Sequence, residues 1–171
     1  MELKKYIDSV NDWPQIGIDF KDISPLLSDP RAFNESIESM CNLISNNFQT
    51  LAGIDSRGFI FASAMAEKLN SGIVLLRKGG KLPPPKIVIE YKLEYGTDAL
   101  EIKEAKKKNT EVIIIDDILA TGGTIYAACD LCLKAGYVVK QAIVLIDLVN
   151  LHQGDFILSN GVIVESLIKL D

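Results

Sequence analysis

The sequence has a single histidine, His152, a single tryptophan, Trp13, and three cysteines, Cys41, Cys129 and Cys132. One histidine excludes His-rich metal centres and most Ser-His-Asp schemes, and an odd number of cysteines at no regular spacing excludes a disulfide framework. Arginine is nearly as scarce, with only Arg31, Arg57 and Arg77 in a chain of net charge −5. The basic stripe that nucleic-acid binding needs is therefore missing, and no nucleic-acid partner is expected. No apolar run approaches the ~20 residues that span a bilayer. The opening MELKKYIDSV is a charged amphipathic stretch rather than a signal-peptide core. No membrane partner is expected, and a cytoplasmic protein is. Chemistry is left to carboxylates, lysine, arginine and the backbone.

What is present is a chain of 171 residues that is 48% hydrophobic, enough for one domain, residues 1–171, with a sizeable core. Leu3, Tyr6, Ile7 and Val10 recur at helical spacing. Asp29-Pro30 reads as an N-cap followed by Pro at N1, opening a helix through Phe33, Ile37, Met40, Cys41 and Ile44. A polar loop, Asp19 to Pro25, lies between them. Strands are predicted at 51–54 and 73–76 around a helix 58–69 closed by Gly72. A charged Gly/Pro stretch, 78–86, leads to a hairpin of 87–93 and 99–102 that turns at Glu94-Tyr95-Gly96-Thr97. A buried strand 112–115, a helix from Gly123 to Ala135 capped by Gly136, and a strand 142–146 form a β-α-β unit, followed by a weakly patterned tail at 162–168. The fold class is α/β, with an open, mostly parallel sheet flanked by helices.

The most informative segment is EVIIIDDILATGGT, Glu111 to Thr124. In open α/β sheets ligands bind beyond the carboxyl ends of strands, where Asp116 and Asp117 are expected to fall. Thr121, Gly122, Gly123 and Thr124 then offer hydroxyls and unobstructed N–H groups at a helix N-terminus, a cradle for phosphate. Two carboxylates beside such a cradle suit a phosphorylated sugar, the acids accepting hydrogen bonds from vicinal hydroxyls. The alternative is a buried strand that ends in a solvated acidic turn. Neither G-x-x-x-x-G-K-[ST] nor G-x-G-x-x-G occurs, which excludes the common triphosphate and dinucleotide loops. Asp55-Ser56-Arg57-Gly58 forms a second strand-to-helix corner, where Arg57 can present a bidentate fork to a diphosphate.

VIIIDDILATGGT resembles the phosphoribosyl-pyrophosphate motif of the type I phosphoribosyltransferases. FKDISP (20–25), GIDSRGFIF (53–61), LLRKGGKLP (75–83) and LEYGTDALEI (93–102) resemble, in order, segments of the family's adenine-specific branch. The resemblance implies the type I fold, with a small N-terminal hood, roughly residues 1–30, over the base site and a flexible hairpin loop. It implies a purine-salvage transferase that converts adenine and phosphoribosyl pyrophosphate to AMP and pyrophosphate, with Mg2+ as cofactor, acting as a homodimer. By the same resemblance, Asp116 and Asp117 hold the ribose hydroxyls and Ala120, Thr121, Gly122, Gly123 and Thr124 hold the 5'-phosphate. Ser56 and Arg57 hold diphosphate, often through a non-proline cis peptide, with help from Arg77, Lys78 and Lys81. Glu94, beside Tyr95, handles the proton of the base, and Phe20 stacks on it. Backbone from Asp19 to Lys21 accepts the exocyclic amine. Magnesium is carried by the substrate, with Asp116 or Asp117 as its nearest protein oxygens.

The family usually has an aliphatic residue at Asp19, arginine at Lys21 and K-P-G-K where this chain has Lys78-Gly79-Gly80-Lys81. These departures fall on the base side and the flexible loop. The ammonium of Lys21 is expected to order the base-binding loop less firmly than a guanidinium would. Two other readings share the phosphate motif: a 6-oxopurine transferase, which needs a cation facing the 6-position, and a non-catalytic phosphoribosyl-pyrophosphate sensor, which needs a basic face or a helix-turn-helix extension. Cys129-x-x-Cys132 is expected to be helix packing, His152 a surface or interface residue, and Lys106 to Lys108 a solvated turn.

Overall fold

The computed structural model describes residues 1–92, 96–152 and 154–171. The chain begins with one 3-10 turn, Leu3–Tyr6, and then an antiparallel ribbon of β1 (Asp8–Asn11) and β2 (Asp19–Asp22). This corrects the helical reading of the first ten residues. Leu3 is the only buried one among them, and a lone turn without a packed face does not propagate into a helix. The loop reading of Asp19–Pro25 is corrected too. Asp19, Phe20, Lys21 and Asp22 alternate across β2, and a short helix α1 (Ser24–Ser28) follows, with Pro25 in its first turn. Four residues are too few for period-two alternation to stand out in a sequence.

Helix α2 (Pro30–Asn42) starts as its cap signal requires, with Asp29 Oδ1 accepting the N–H groups of Arg31 and Ala32 at 2.9 Å each. After β3 (Thr50–Ile54) comes α3 (Arg57–Lys68). Asn70, with φ of 50°, reverses the chain after α3, whereas Gly72 is the first residue of β4 (Gly72–Lys78), contrary to the closing role the sequence suggested for it. Strands β5 (Ile87–Lys92) and β6 (Thr97–Ile102) form the expected hairpin. Then come β7 (Thr110–Leu119), α4 (Gly123–Lys134), β8 (Tyr137–Leu148) and β9 (Val164–Leu170).

Seven strands make one sheet in the order β5-β6-β4-β3-β7-β8-β9. From β4 to β9 the pairing is parallel; β6 and β5 add antiparallel strands at one edge. The uninterrupted apolar run of β7 follows from burial on both faces. Val112 and Ile114 pack with Leu131 and Cys132 of α4, while Ile113 and Ile115 pack with Phe61 and Met65 of α3. The β7–β8 pairing continues to Leu119 opposite Asp147, so β7 is longer than the four residues predicted, and Asp116 and Asp117 lie within it rather than beyond it. Cys129 and Cys132 are buried on α4, and Lys106 to Lys108 are exposed. Among the described residues no helix is long and apolar enough to cross a membrane.

Candidate functional site

The site begins where the sheet's central strand becomes polar. Asp116 and Asp117 are 8% and 4% exposed near the carboxyl end of β7, not in a solvated turn. Asp116 Oδ1 accepts the N–H of Asp117 at 2.9 Å. The start of α3 abuts this point. A Cβ on Gly58 would lie 2.8 Å from both Asp116 Oδ1 and Ile115 O, so only glycine allows the helix so close. Burial raises the pKa of Asp116 well above the usual carboxylate range, and the neighbouring Asp117 charge adds to it. Asp117 is also raised by burial, opposed by the Arg57 guanidinium. Arg57 Nε stands 2.8 Å from Asp117 Oδ2, an ion pair in which no N–H is aligned on that oxygen as a hydrogen bond.

Past Leu119, residues 120–122 lead to the N-terminus of α4, whose first N–H groups have no intrahelical acceptor. Gly122 is left-handed, with φ of +86°. Thr124 Oγ1 approaches the Tyr91 hydroxyl at 3.4 Å, and the Lys92 carbonyl lies 3.1 Å from where a Cβ of Gly123 would be, so the β5–β6 hairpin rests on this loop.

The second corner lies beside the first. The Asp55–Ser56 peptide is cis, the non-proline cis bond that the family resemblance implied, and Ser56 precedes α3. Asp55 Oδ2 accepts from Arg77 Nε at 2.9 Å and from the Lys78 N–H at 3.3 Å, and the Arg77 guanidinium covers the Phe59 ring. Lys78 Nζ donates to Asp98 at 2.5 Å and Tyr91 at 2.8 Å. Burial works against its ammonium, but these partners outweigh it and raise its pKa above the ordinary lysine value. Arg77 and Lys78 thus line the end of β4 already paired, while Lys81 is exposed on the loop beyond.

Arg57 also reaches the ribbon. Its guanidinium lies 5.1 Å from the Phe20 ring, and Nη1 donates to the Lys21 carbonyl at 3.4 Å. A cleft of about 440 Å3 opens here, lined by Val10, Trp13, Phe20, Asp22, Ile23, Ser24, Leu27 and Arg57. Trp13 meets Phe20 edge-on at 4.6 Å. Lys21 projects from the opposite face of β2, where Nζ donates to Asp19 at 2.6 Å and Ser9 at 2.8 Å, with a side chain only 10% exposed. The two departures from the family pattern on the base side therefore pair with each other. Glu94 and Tyr95 lie outside the described residues.

Sequence reasoning missed Trp13 and gave Asp55 and Gly58 no role of their own within the corner it named. The first carried a signal as the only tryptophan; the other two stand inside a quoted motif whose arginine drew the attention. His152, expected at the surface or an interface, has its side chain 9% exposed with Nε2 2.6 Å from Asp147 Oδ1. Asp147 ends the pairing of β8 with β7 and supplies a polar partner that periodicity cannot reveal.

An acid pair on a central parallel strand, continued by a Thr/Gly loop at a helix N-terminus and faced by an arginine corner, defines a type I phosphoribosyltransferase fold. Residues 26–151 match the family described as phosphoribosyl transferase domain. The adenine phosphoribosyltransferase of Mycoplasmopsis agalactiae is 44% identical over 170 residues, 99% of each chain. The crystal structure of adenine phosphoribosyltransferase from Thermoanaerobacter pseudethanolicus superposes with a TM-score of 0.90 at 41% identity, covering 99% of this chain and 98% of that one. The Giardia lamblia enzyme complexed with 9-deazaadenine gives 0.87 at 31% identity, covering 99% and 97%. The chain belongs to the phosphoribosyltransferases and, within them, to the adenine phosphoribosyltransferase family.

Proposed function

We propose that the protein transfers the phosphoribosyl group of phosphoribosyl pyrophosphate to adenine, giving AMP and pyrophosphate in purine salvage. The observation that carries this reading is the continuity from Asp117 through Arg57 to Phe20, which joins a sugar-phosphate corner to an aromatic cleft sized for a base.

The surroundings of the described residues support the following roles, and Glu94 and Tyr95 keep the role that the family resemblance implies. Thr121, Gly122, Gly123 and Thr124, with Ala120 leading into them, cradle the 5'-phosphate. Asp116 and Asp117 accept the ribose hydroxyls. Arg57 opposes the burial that disfavours the Asp117 carboxylate and turns its remaining donors, with Ser56, toward the diphosphate, where negative charge grows as the anomeric bond breaks. Arg77 and Lys78, held in place by Asp55 and Asp98, offer further donors along the same edge, and Lys81 adds a cation on the loop beyond. Adenine lies in the cleft on Phe20, a stack typically worth ~1–3 kcal/mol, its amine read by backbone of Asp19 to Lys21 on a strand paired along one edge only. Glu94, with Tyr95 beside it, manages the proton of the base.

Asp116 and Asp117 would hold magnesium through the bound substrate, and it would supply positive charge against the leaving diphosphate. The donors fit it: Asp116 and Asp117 are hard carboxylate oxygens, and Asp117 Oδ2 is buried with no aligned donor. The protein acts as a cytoplasmic homodimer in this reading, as the family resemblance implies.

The test is an assay of the purified protein with phosphoribosyl pyrophosphate, magnesium and each purine in turn. AMP from adenine, with no nucleotide from hypoxanthine or guanine, is expected. Nucleotide from the oxopurines alone would overturn the reading.

A further inference from the structure

We propose that Phe156 is a positioning residue for the phosphate loop: its ring, seated on Gly122, holds residues 121–124 in the shape that receives the 5'-phosphate. The inference rests on the proposed function, which makes that loop the phosphate cradle.

The contact is close. A Cβ built on Gly122 would fall 1.8 Å from Phe156 Cζ and 2.3 Å from Cε2, so the ring tip occupies the space that any other residue's side chain would need. Gly122 is therefore required twice, by its left-handed φ of +86° and by this ring. Glycine at a left-handed turn is also the residue with most freedom to leave it, so the loop's shape must be imposed from outside. Phe156 does so from a segment fixed on two sides. Tyr126, in the second turn of α4, packs tilted on Phe156 at 4.8 Å and donates its hydroxyl to the Ile157 carbonyl at 2.6 Å. Its backbone N–H donates to the Gly122 carbonyl at 3.0 Å, closing a ring of contacts through the loop. On the other side the His152 imidazole meets Phe156 edge-on at 5.3 Å and is itself held by Asp147. The C-terminal segment, which the transfer chemistry does not otherwise use, thus buttresses the one loop that must be rigid before phosphate arrives.

A brace of this kind acts by preorganisation, so its loss should weaken phosphate binding selectively. In Phe156→Ala the KM for phosphoribosyl pyrophosphate should rise about tenfold, with the KM for adenine unchanged. The affinity for ribose 5-phosphate, measured by calorimetry, should fall by the same factor while that for pyrophosphate stays. Phe156→Leu, which restores apolar mass on Gly122, should recover most of the loss. Tyr126→Phe, which keeps the ring and removes only the bond to Ile157, gives the same pattern at smaller size and serves if the alanine variant does not fold. An equal fall in both affinities, or none in either, overturns the proposal. A wild-type protein that makes no AMP overturns instead the functional reading beneath it.

Discussion

Asp116 and Phe20 face neighbouring parts of one site from very different supports. Asp116 stands on β7, which has a strand on either side and helices over both faces, with Gly58 pressed against its carboxylate. Phe20 stands on a four-residue strand paired along one edge, steadied by Trp13 and Arg57. Position on the sugar side is set by a core that exists without ligand; position on the base side is set by a few side chains on a ribbon. The first arrangement holds charged groups where water would otherwise hold them, at a cost in desolvation. The second gives an aromatic face that can adjust to a planar ring. Mutations should accordingly be felt as chemistry without loss of fold on one side and as modest shifts in affinity on the other.

The sharpest way to break that contrast is Asp116→Asn with Asp117→Asn. Turnover should fall by at least about 10²-fold, since in the proposed function both groups accept the ribose hydroxyls. The fold should not suffer. Burial raises both pKa values, and a carboxylate whose folded-state value exceeds its unfolded one opposes folding once the pH passes the unfolded value. At pH 7 the amides relieve that opposition, and Arg57 is exposed enough to be solvated, so the melting temperature of the double variant should equal or exceed that of the wild type. A drop of several degrees would mean the acids serve the core rather than the ligand. Glu94→Gln comes next. A proton-handling group acts mainly in the transition state, so kcat should fall roughly 10- to 10²-fold with either KM little changed. A change confined to KM would make Glu94 a binding residue.

The same contrast decides what the sequence disclosed. Buried strands and helix caps are local signals: Ile113 to Ile115, Asp29-Pro30 and Gly136 announced their elements because burial and dihedral limits act on each residue separately. The Thr/Gly loop was legible for the same reason. Two things were not. The extension of β7 through Asp116 and Asp117 depends on β8 continuing alongside to Asp147, a contact far apart in sequence. The ribbon of β1 and β2 has no run long enough for periodicity, and the pairing of Lys21 with Asp19 needs the strand's alternation to be known first. A charged residue in a polar loop and one on the outer face of a ribbon look the same until the pairing is seen.

Between the two supports lies the loop of residues 79–86, and a pH experiment tells whether it behaves like core or like ribbon. Glu101, on β6, accepts the N–H groups of Gly80 at 2.8 Å and Leu82 at 3.0 Å and the Lys86 ammonium at 2.6 Å. The Lys86 hydrogen bond, then those N–H groups, bring its pKa down to about 2. A carboxylate lowered in the folded state stabilises it fully above its unfolded value, ordinarily near 4.5, and loses that contribution as the pH falls toward 2. Glu101→Gln should therefore melt below the wild type at pH 6, and the gap should narrow steadily as melting curves are taken toward pH 3. A gap that is constant with pH would assign the loss to packing instead of charge.

The smallest effect is expected at Lys21, where the ribbon departs from the family pattern. Phe20 and Lys21 are consecutive on β2, so their side chains leave opposite faces, and the ammonium turns away from the cleft toward Asp19 and Ser9. If adenine lies in the cleft as proposed, base choice should be indifferent to this ammonium. A guanidinium at this position could still reach Asp19 in the same place, though its planar fork needs more room than a compact ammonium. Lys21→Arg should change the KM for adenine by no more than about twofold and leave hypoxanthine unused. Asp19→Ala should do more, because it removes the charged partner of an ammonium that is nearly buried, and the disturbance reaches Phe20 through the backbone they share. If Lys21→Arg instead changed which purine is accepted, the ammonium would have to face the cleft, and the separation of the ribbon's two faces would be wrong.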